Sequence, residues 1–137
     1  MAGSPTRLRE VVPDRVAALM PKERDERLCL TDMLSAIDRA LDYTREGREA
    51  FLADAKTQDA VIRNITVIGD AVRGVSESTR RSHPEIPWSR ISGTRERVIH
   101  GYLRVDLDIV WDIVESDLPR LRHQIAELLP VIKPRVP

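Results

Sequence analysis

Arg95, His100 and Tyr102 place a guanidinium, an imidazole and a phenol within one stretch of eight residues, R-E-R-V-I-H-G-Y. An imidazole exchanges a proton near pH 7, and a guanidinium binds phosphate oxygens through a planar fork of donors. Cleavage of RNA without a metal requires a base for the 2′-hydroxyl, positive charge on the phosphate and an acid for the leaving oxygen. We therefore predict His100 as base or acid, and Arg95 as the residue that stabilises charge on the phosphorane.

The geometry of this motif depends on how a helix ends. The spacing predicts a short helix from Pro87 or Trp88 to His100, with Gly101 ending it and Tyr102 in the following loop. Five helical residues turn the chain by about 500°, so Arg95 and His100 do not share one helix face. A long arginine at a fraying end still allows the side chains to converge on one cleft. Taken alone, His100 is also compatible with a helix C-cap, because an imidazolium is favoured at that end.

The basic residues are unevenly distributed. Lys+Arg and Asp+Glu both number 22, yet residues 80–104 contain six arginines and only two acids. This cluster is compatible with a phosphate-binding surface or with a solvated charged face, and both interpretations stay open.

Composition points to a single helical domain. The chain has 137 residues, of which 42% are hydrophobic, and its apolar runs are too short for a membrane span. Cys29 is the only cysteine, so we expect core packing and a reducing cytoplasm rather than a disulfide. The three histidines lack metal-ligand spacing, and we predict neither a metal nor another cofactor.

Apolar residues at three- and four-residue steps predict an all-α, antiparallel bundle of four to five helices. The predicted helices cover residues 27–45, 48–54, 57–75, 87–100 and 106–129. We expect Thr57 to cap the third helix, Pro119 to kink the last one, and residues 76–87 to form a connection with at most one helical turn. No segment shows the alternation expected of a strand.

The same pattern divides the chain into three parts. Residues 1–26 are expected to be a leader that is poorly ordered or a start-site artefact, since Pro5, Pro13 and Pro21 interrupt any long helix. Residues 27–129 form the helical domain, and residues 130–137 are expected to be a frayed, proline-rich tail.

Four stretches around the motif resemble the HepT group of HEPN proteins, and the resemblance covers residues 26–129. They are RLCLTDML at 27–34, VIRNITVIGDA at 61–71, IPW at 86–88 and VDLDIVW at 105–111. Together with R-x-x-x-x-H-x-Y they are much more specific than the motif alone.

The resemblance implies an all-helical HEPN homodimer that holds the R-x-x-x-x-H motif in the dimer cleft as a metal-independent ribonuclease. It also implies a toxin paired with a nucleotidyltransferase antitoxin of the MntA type, which transfers AMP to the motif tyrosine, Tyr102 here. AMP would add negative charge and bulk beside Arg95 and His100, and so exclude RNA.

Two further observations leave alternatives open. Glu96 stands where the group often has Asn or Asp; it could pair with Arg95 or Arg97 and lower activity, or simply substitute. Arg63 and Asn64 are candidates for the cleft or the dimer interface, with a solvated helix face as the alternative. The alternative functions are a non-catalytic HEPN module that binds a nucleotide or partner, and a structural dimerisation domain.

Overall fold

The computed structural model describes residues 25–100 and 104–133, and for His100 it describes the backbone alone. These residues form a helical bundle with one short hairpin, which confirms the all-α prediction. The α-helices are α1 (Glu26–Tyr43), α2 (Arg48–Ala53), α3 (Ala55–Ala71), α4 (Glu77–Ser82), α5 (Trp88–Ser92), α6 (Thr94–Val98), α7 (Leu107–Asp112) and α8 (Leu118–Leu128). The hairpin strands are β1 (Ile99–His100) and β2 (Arg104–Val105).

The core lies between α1, α3 and α8, whose apolar stripes face one another. It is built mainly from aliphatic side chains, with one aromatic pair at its edge. Phe51 of α2 packs against Trp111 of α7, with ring centroids 5.6 Å apart. This contact fixes α7, and with it the end of the hairpin, against the first half of the bundle. Within the described residues, no helix is long and apolar enough to cross a membrane.

Asp54, not Thr57, caps α3, so the predicted cap was wrong by one turn. The Asp54 carboxylate accepts the backbone N–H of Lys56 at 3.1 Å and the Thr57 hydroxyl at 2.8 Å. The hydrogen bond from Thr57, followed by that from Lys56, lowers the pKa of Asp54 below its ordinary value. Aspartate is a stronger N-cap than threonine, so the helix begins at the earlier residue.

We expected Pro119 to kink the last helix. The helix is instead interrupted just before Pro119. Between α7 and α8, residues Ile113–Asp117 form a π-helical turn in which the Leu118 N–H bonds to the Ile113 carbonyl. Pro119 has no N–H to continue the regular ladder, which accounts for a disruption at this point. Asp117 is the last residue of this turn.

The first two residues of α1 form hydrogen bonds with two distant segments, the start of α4 and the residues after α8. Glu26 accepts the Ser76 N–H and the Thr79 hydroxyl, both at 3.0 Å, and so holds the start of α4. Arg27 donates to the carbonyls of Leu129 at 3.1 Å and Ile132 at 2.7 Å. The first part of the proline-rich tail therefore packs against α1 as far as Ile132, which is buried.

Candidate functional site

The motif segment forms two short helices and a strand, not one helix ending at His100. Gly93 separates α5 from α6, and α6 ends at Val98. The Val98 carbonyl accepts the Asp106 N–H at 2.9 Å, a bond that links α6 to the residue before α7. The predicted helix over 87–100 was wrong because Ile99 and His100 pair with another strand instead of continuing the helix.

The hairpin gives His100 a partner that the motif does not include. The antiparallel register pairs Ile99 with Val105 and His100 with Arg104. The segment contained a signal for this turn, since Gly101 lies between β-branched residues at 99 and 105. Strand pairing over so few residues is nevertheless hard to read from sequence, and the prediction of no strand was wrong here.

Arg95 is the second residue of α6 and lies on its solvent side. Its side chain is exposed, and it makes no ion pair with any residue that the structure describes. Because the chain leaves the helix at Val98, the helical angle between Arg95 and His100 no longer applies. Both residues belong to one junction between α6 and β1, and convergence of their side chains on one cleft stays a prediction.

Arg97 faces away from Arg95 and contacts the π-helical turn. Its Nη1 lies 3.7 Å from Oδ2 of Asp117, which also accepts from Arg90 at 3.3 Å. Asp117 therefore links α5, α6 and the last helical segment through one carboxylate. Glu96 is exposed, and in the described part of the chain it pairs with neither neighbouring arginine. Sequence reasoning missed Asp117, because its role depends on the π-helical turn.

Arg63 and Asn64 occupy different environments on α3. Arg63 is exposed, whereas Asn64 is 6% exposed and both ends of its amide form a hydrogen bond. Asn64 donates to the Ala60 carbonyl at 2.8 Å and accepts from Nε of Arg39 at 2.9 Å. Asn64 thus joins α3 to α1 within the chain, and a place for either residue in a cleft between subunits stays a prediction.

A cavity of about 410 Å³ lies between α3, α5, α6 and α8. Its walls are aliphatic, and Arg90, Asp117, Arg120 and Gln124 supply polar groups. Oε1 of Gln124 is buried and has no hydrogen-bond partner among the described residues, while its Nε2 donates to the Glu85 carbonyl. Arg95 lies outside the lining, so the cavity is separate from the exposed side of the motif helix.

Two predicted features lie at the limit of what the structure describes. Tyr102 falls outside the described residues, so its predicted modification has no geometry here. Within residues 25–100 and 104–133, no group of three or more His, Cys, Asp or Glu side chains is placed to hold a metal ion.

Residues 33–128 match the family described as Ribonuclease HepT-like. The chain belongs to the HepT-like ribonuclease family. The match spans α3, the motif, the hairpin and all of α8, so it includes every described element that positions Arg95 and His100. No solved structure gives a significant match.

Proteins related to this HepT-like chain occur in archaea and bacteria. A protein of Thermococcus cleftensis named "Probable ribonuclease HepT" is 38% identical over 107 residues, which are 77% of this chain and 97% of that protein. A candidate RNase of Methanocaldococcus jannaschii is 37% identical over 111 residues, covering 80% of this chain and 91% of its own length. A candidate RNase of Caldanaerobacter subterraneus is 33% identical over 81 residues, which are 59% of this chain and 72% of that protein.

Proposed function

We propose that this protein is a toxin that cleaves RNA without a metal, using Arg95 and His100 in the cleft of a homodimer. The observation that carries the proposal is the family match over residues 33–128, which contains the complete R-x-x-x-x-H motif. The site is supported by the exposed Arg95, which no described acid neutralises, and by its position one short step before the strand of His100. We assign the activity to the HEPN domain predicted over residues 27–129. Glu26 and the start of the tail, as far as Ile132, contact this domain, and residues 1–24 of the predicted leader lie outside the described residues.

The proposed reaction transfers the RNA phosphoryl group within the substrate. His100 removes the proton of a 2′-hydroxyl, the 2′-oxygen attacks the adjacent phosphorus, and the bond to the 5′-oxygen breaks. The products are a 2′,3′-cyclic phosphate and a 5′-hydroxyl, so no water or redox partner is consumed. Arg95 stabilises the charge that develops on the phosphorane oxygens. The 5′-oxygen needs a proton, which we assign to the imidazolium of His100 from the second subunit.

Regulation is proposed to occur at Tyr102 through a nucleotidyltransferase antitoxin of the MntA type. Transfer of AMP from ATP to the phenol forms a phosphodiester and releases pyrophosphate. The modified residue lies two positions after His100 in sequence, so the added negative charge would oppose RNA binding at this cation-rich junction. Glu96 and Arg97 complete the proposed surroundings, with Arg97 held by Asp117.

A non-catalytic module that binds a nucleotide or partner is the second candidate. The 410 Å³ cavity favours it, since its volume lies in the range of small-molecule sites and Gln124 offers an unpaired acceptor there. This candidate predicts ligand binding by unmodified protein that cleaves no RNA.

The test compares His100→Ala with His123→Ala on labelled RNA in the presence of EDTA. His123 is an exposed histidine of α8 that pairs with Glu127, and so controls for loss of an imidazole elsewhere. We expect His100→Ala to lower the cleavage rate by roughly 10²- to 10⁴-fold, the usual value of a general acid or base. His123→Ala and EDTA are expected to change little. Equal cleavage by wild type and His100→Ala would exclude the catalytic role.

The regulatory part is tested by intact mass after co-expression with the candidate antitoxin. We expect AMP additions on wild type and none on Tyr102→Phe, with cleavage confined to unmodified protein. Modification retained in Tyr102→Phe would place the acceptor at another residue. Protein that is never modified and never cleaves RNA would favour the binding module.

A further inference from the structure

Arg104 lies directly opposite the motif histidine in the backbone register. The hairpin pairs the Cα positions of His100 and Arg104. Directly opposite residues of an antiparallel pair share one face, with Cβ atoms about 4.5–5.5 Å apart. Arg104 is therefore the direct cross-strand neighbour of position 100, whereas Arg95 belongs to the preceding helix.

The acids nearest to Arg104 in the chain are engaged elsewhere. Asp106 caps α7 by accepting the backbone N–H groups of Asp108 and Ile109, each at 3.1 Å. Asp108 pairs with Arg48 at 2.8 Å. Arg104 is exposed and has no acidic partner within residues 25–100 and 104–133. Its cation is therefore free to meet an anion from outside the chain.

The four arginines between residues 90 and 104 fall into two groups. Arg90 and Arg97 both contact the carboxylate of Asp117, so each already has an acidic partner within the fold. Arg95 and Arg104 are exposed and without a described acidic partner. An open depression of about 390 Å³ lies beside Arg104. Asp106 and Asp108 also line it, and these two carboxylates are engaged by the start of α7 and by Arg48.

We infer that Arg104 binds the scissile phosphate of the RNA substrate and shares charge stabilisation with Arg95. The inference rests on the proposed ribonuclease function and adds a residue outside the R-x-x-x-x-H motif. The guanidinium fork donates to non-bridging phosphate oxygens while the group opposite it, at position 100, acts on the 2′-hydroxyl. Because the phosphorane carries more negative charge than the diester, the contact is stronger in the transition state than in the ground state.

The first experiment measures RNA cleavage by Arg104→Gln, Arg104→Lys and Arg73→Gln. Arg73 is a matched control, exposed and without a described acidic partner, in the 3₁₀ turn Val72–Gly74 that follows α3. We expect Arg104→Gln to lower kcat/KM by roughly 10²-fold, the usual effect of losing one donor to a developing oxyanion. Arg104→Lys is expected to recover part of the rate, and Arg73→Gln to stay within about twofold of wild type.

The second experiment measures the salt dependence of RNA binding and does not require cleavage. In a His100→Ala background, each cation that neutralises a phosphate of single-stranded RNA contributes about 0.7 to the slope of log affinity against log salt. We expect Arg104→Gln to reduce the slope by about this amount, and Arg73→Gln to leave it unchanged. Thermal unfolding of every variant verifies that the fold is retained.

The outcomes separate this inference from the proposed function. A normal rate and an unchanged slope in Arg104→Gln would overturn the role of Arg104 while leaving Arg95 and His100 in place. The wild type could bind RNA without cleaving it, with a slope of log affinity against log salt that falls in Arg104→Gln. This result would overturn the proposed reaction but retain the contact between Arg104 and a phosphate. Equal losses in Arg104→Gln and Arg73→Gln would indicate general charge attraction and contradict a specific site.

Discussion

At the scale of single residues, whether an arginine can bind an external anion depends on the acidic groups around it. Arg95 and Arg97 differ by two positions in one short helix, yet of the two only Arg97 contacts a carboxylate of a described residue. Spacing and residue type were enough to select Arg95 and His100 as candidates. They could not separate the arginines that contact Asp117 from those without a described acidic partner, because that distinction depends on contacts far apart in sequence.

Asp54 allows a prediction about pH, because its carboxylate is tied to the start of α3 and its pKa is lowered. An acid whose pKa is lower in the folded state adds stability above its unfolded pKa, near 3.9, and loses this contribution as pH falls through the folded value. We therefore expect the difference in unfolding free energy between wild type and Asp54→Asn to be constant above about pH 5 and to shrink at lower pH.

Urea unfolding at several pH values from about 6 down to 3 tests this expectation. Asp59→Asn is the control. Asp59 is exposed in the same helix, and its side chain makes no hydrogen bond or ion pair with a described residue. A wild-type to Asp54→Asn difference that is identical at every pH would contradict a role for the Asp54 charge.

At the scale of elements, apolar periodicity identified the long helices but not the short ones. Helices α1, α3 and α8 have buried stripes that extend over several turns, and their patterns are visible in the sequence. The segment from Trp88 to Val105 contains only short helices and strands, so no buried stripe extends over several turns there. Its form is set by Gly93, by the bond between Val98 and Asp106, and by pairing across the hairpin. These tertiary contacts place Arg104 opposite His100, and the sequence pattern alone does not specify them.

Asp117 joins the elements that carry the proposed site, so Asp117→Asn tests how their placement affects activity. The substitution keeps the side-chain size but removes the charge shared by Arg90 and Arg97. Because Asp117 is about one-third exposed, we expect a stability loss of only about 0.5–1 kcal/mol. We expect a larger effect on catalysis, roughly a tenfold fall in kcat, since α6 carries Arg95 and leads into the strand of His100.

Asp38→Asn provides a control with a similar ion pair at another place. Asp38 accepts from Arg122 at 2.5 Å and joins α1 to α8, away from the motif helix. Chemical unfolding and cleavage kinetics of both variants are compared. If the two variants lose kcat to the same extent, or if neither loses it, Asp117 has no special role in positioning α6.

At the scale of the whole molecule, one chain supplies one motif histidine, whereas the proposed reaction needs both a base and an acid. Arginine cannot act as the acid, because its guanidinium stays protonated. A symmetric dimer solves this problem by bringing a second His100 to the same cleft. The alternative within a single chain is the phenol of Tyr102, which also carries a transferable proton.

Mixed dimers distinguish these two sources of the proton. Wild-type and His100→Ala subunits carrying different affinity tags are co-expressed, and the heterodimer is isolated by two successive purifications. If the dimer cleft uses both histidines, the heterodimer is expected to lose nearly all cleavage rather than half, because its cleft no longer contains a complete pair. A heterodimer of wild type with His123→Ala is expected to retain full cleavage. Half activity in the His100→Ala heterodimer would show that each subunit acts alone, and Tyr102→Phe would then be expected to remove the acid.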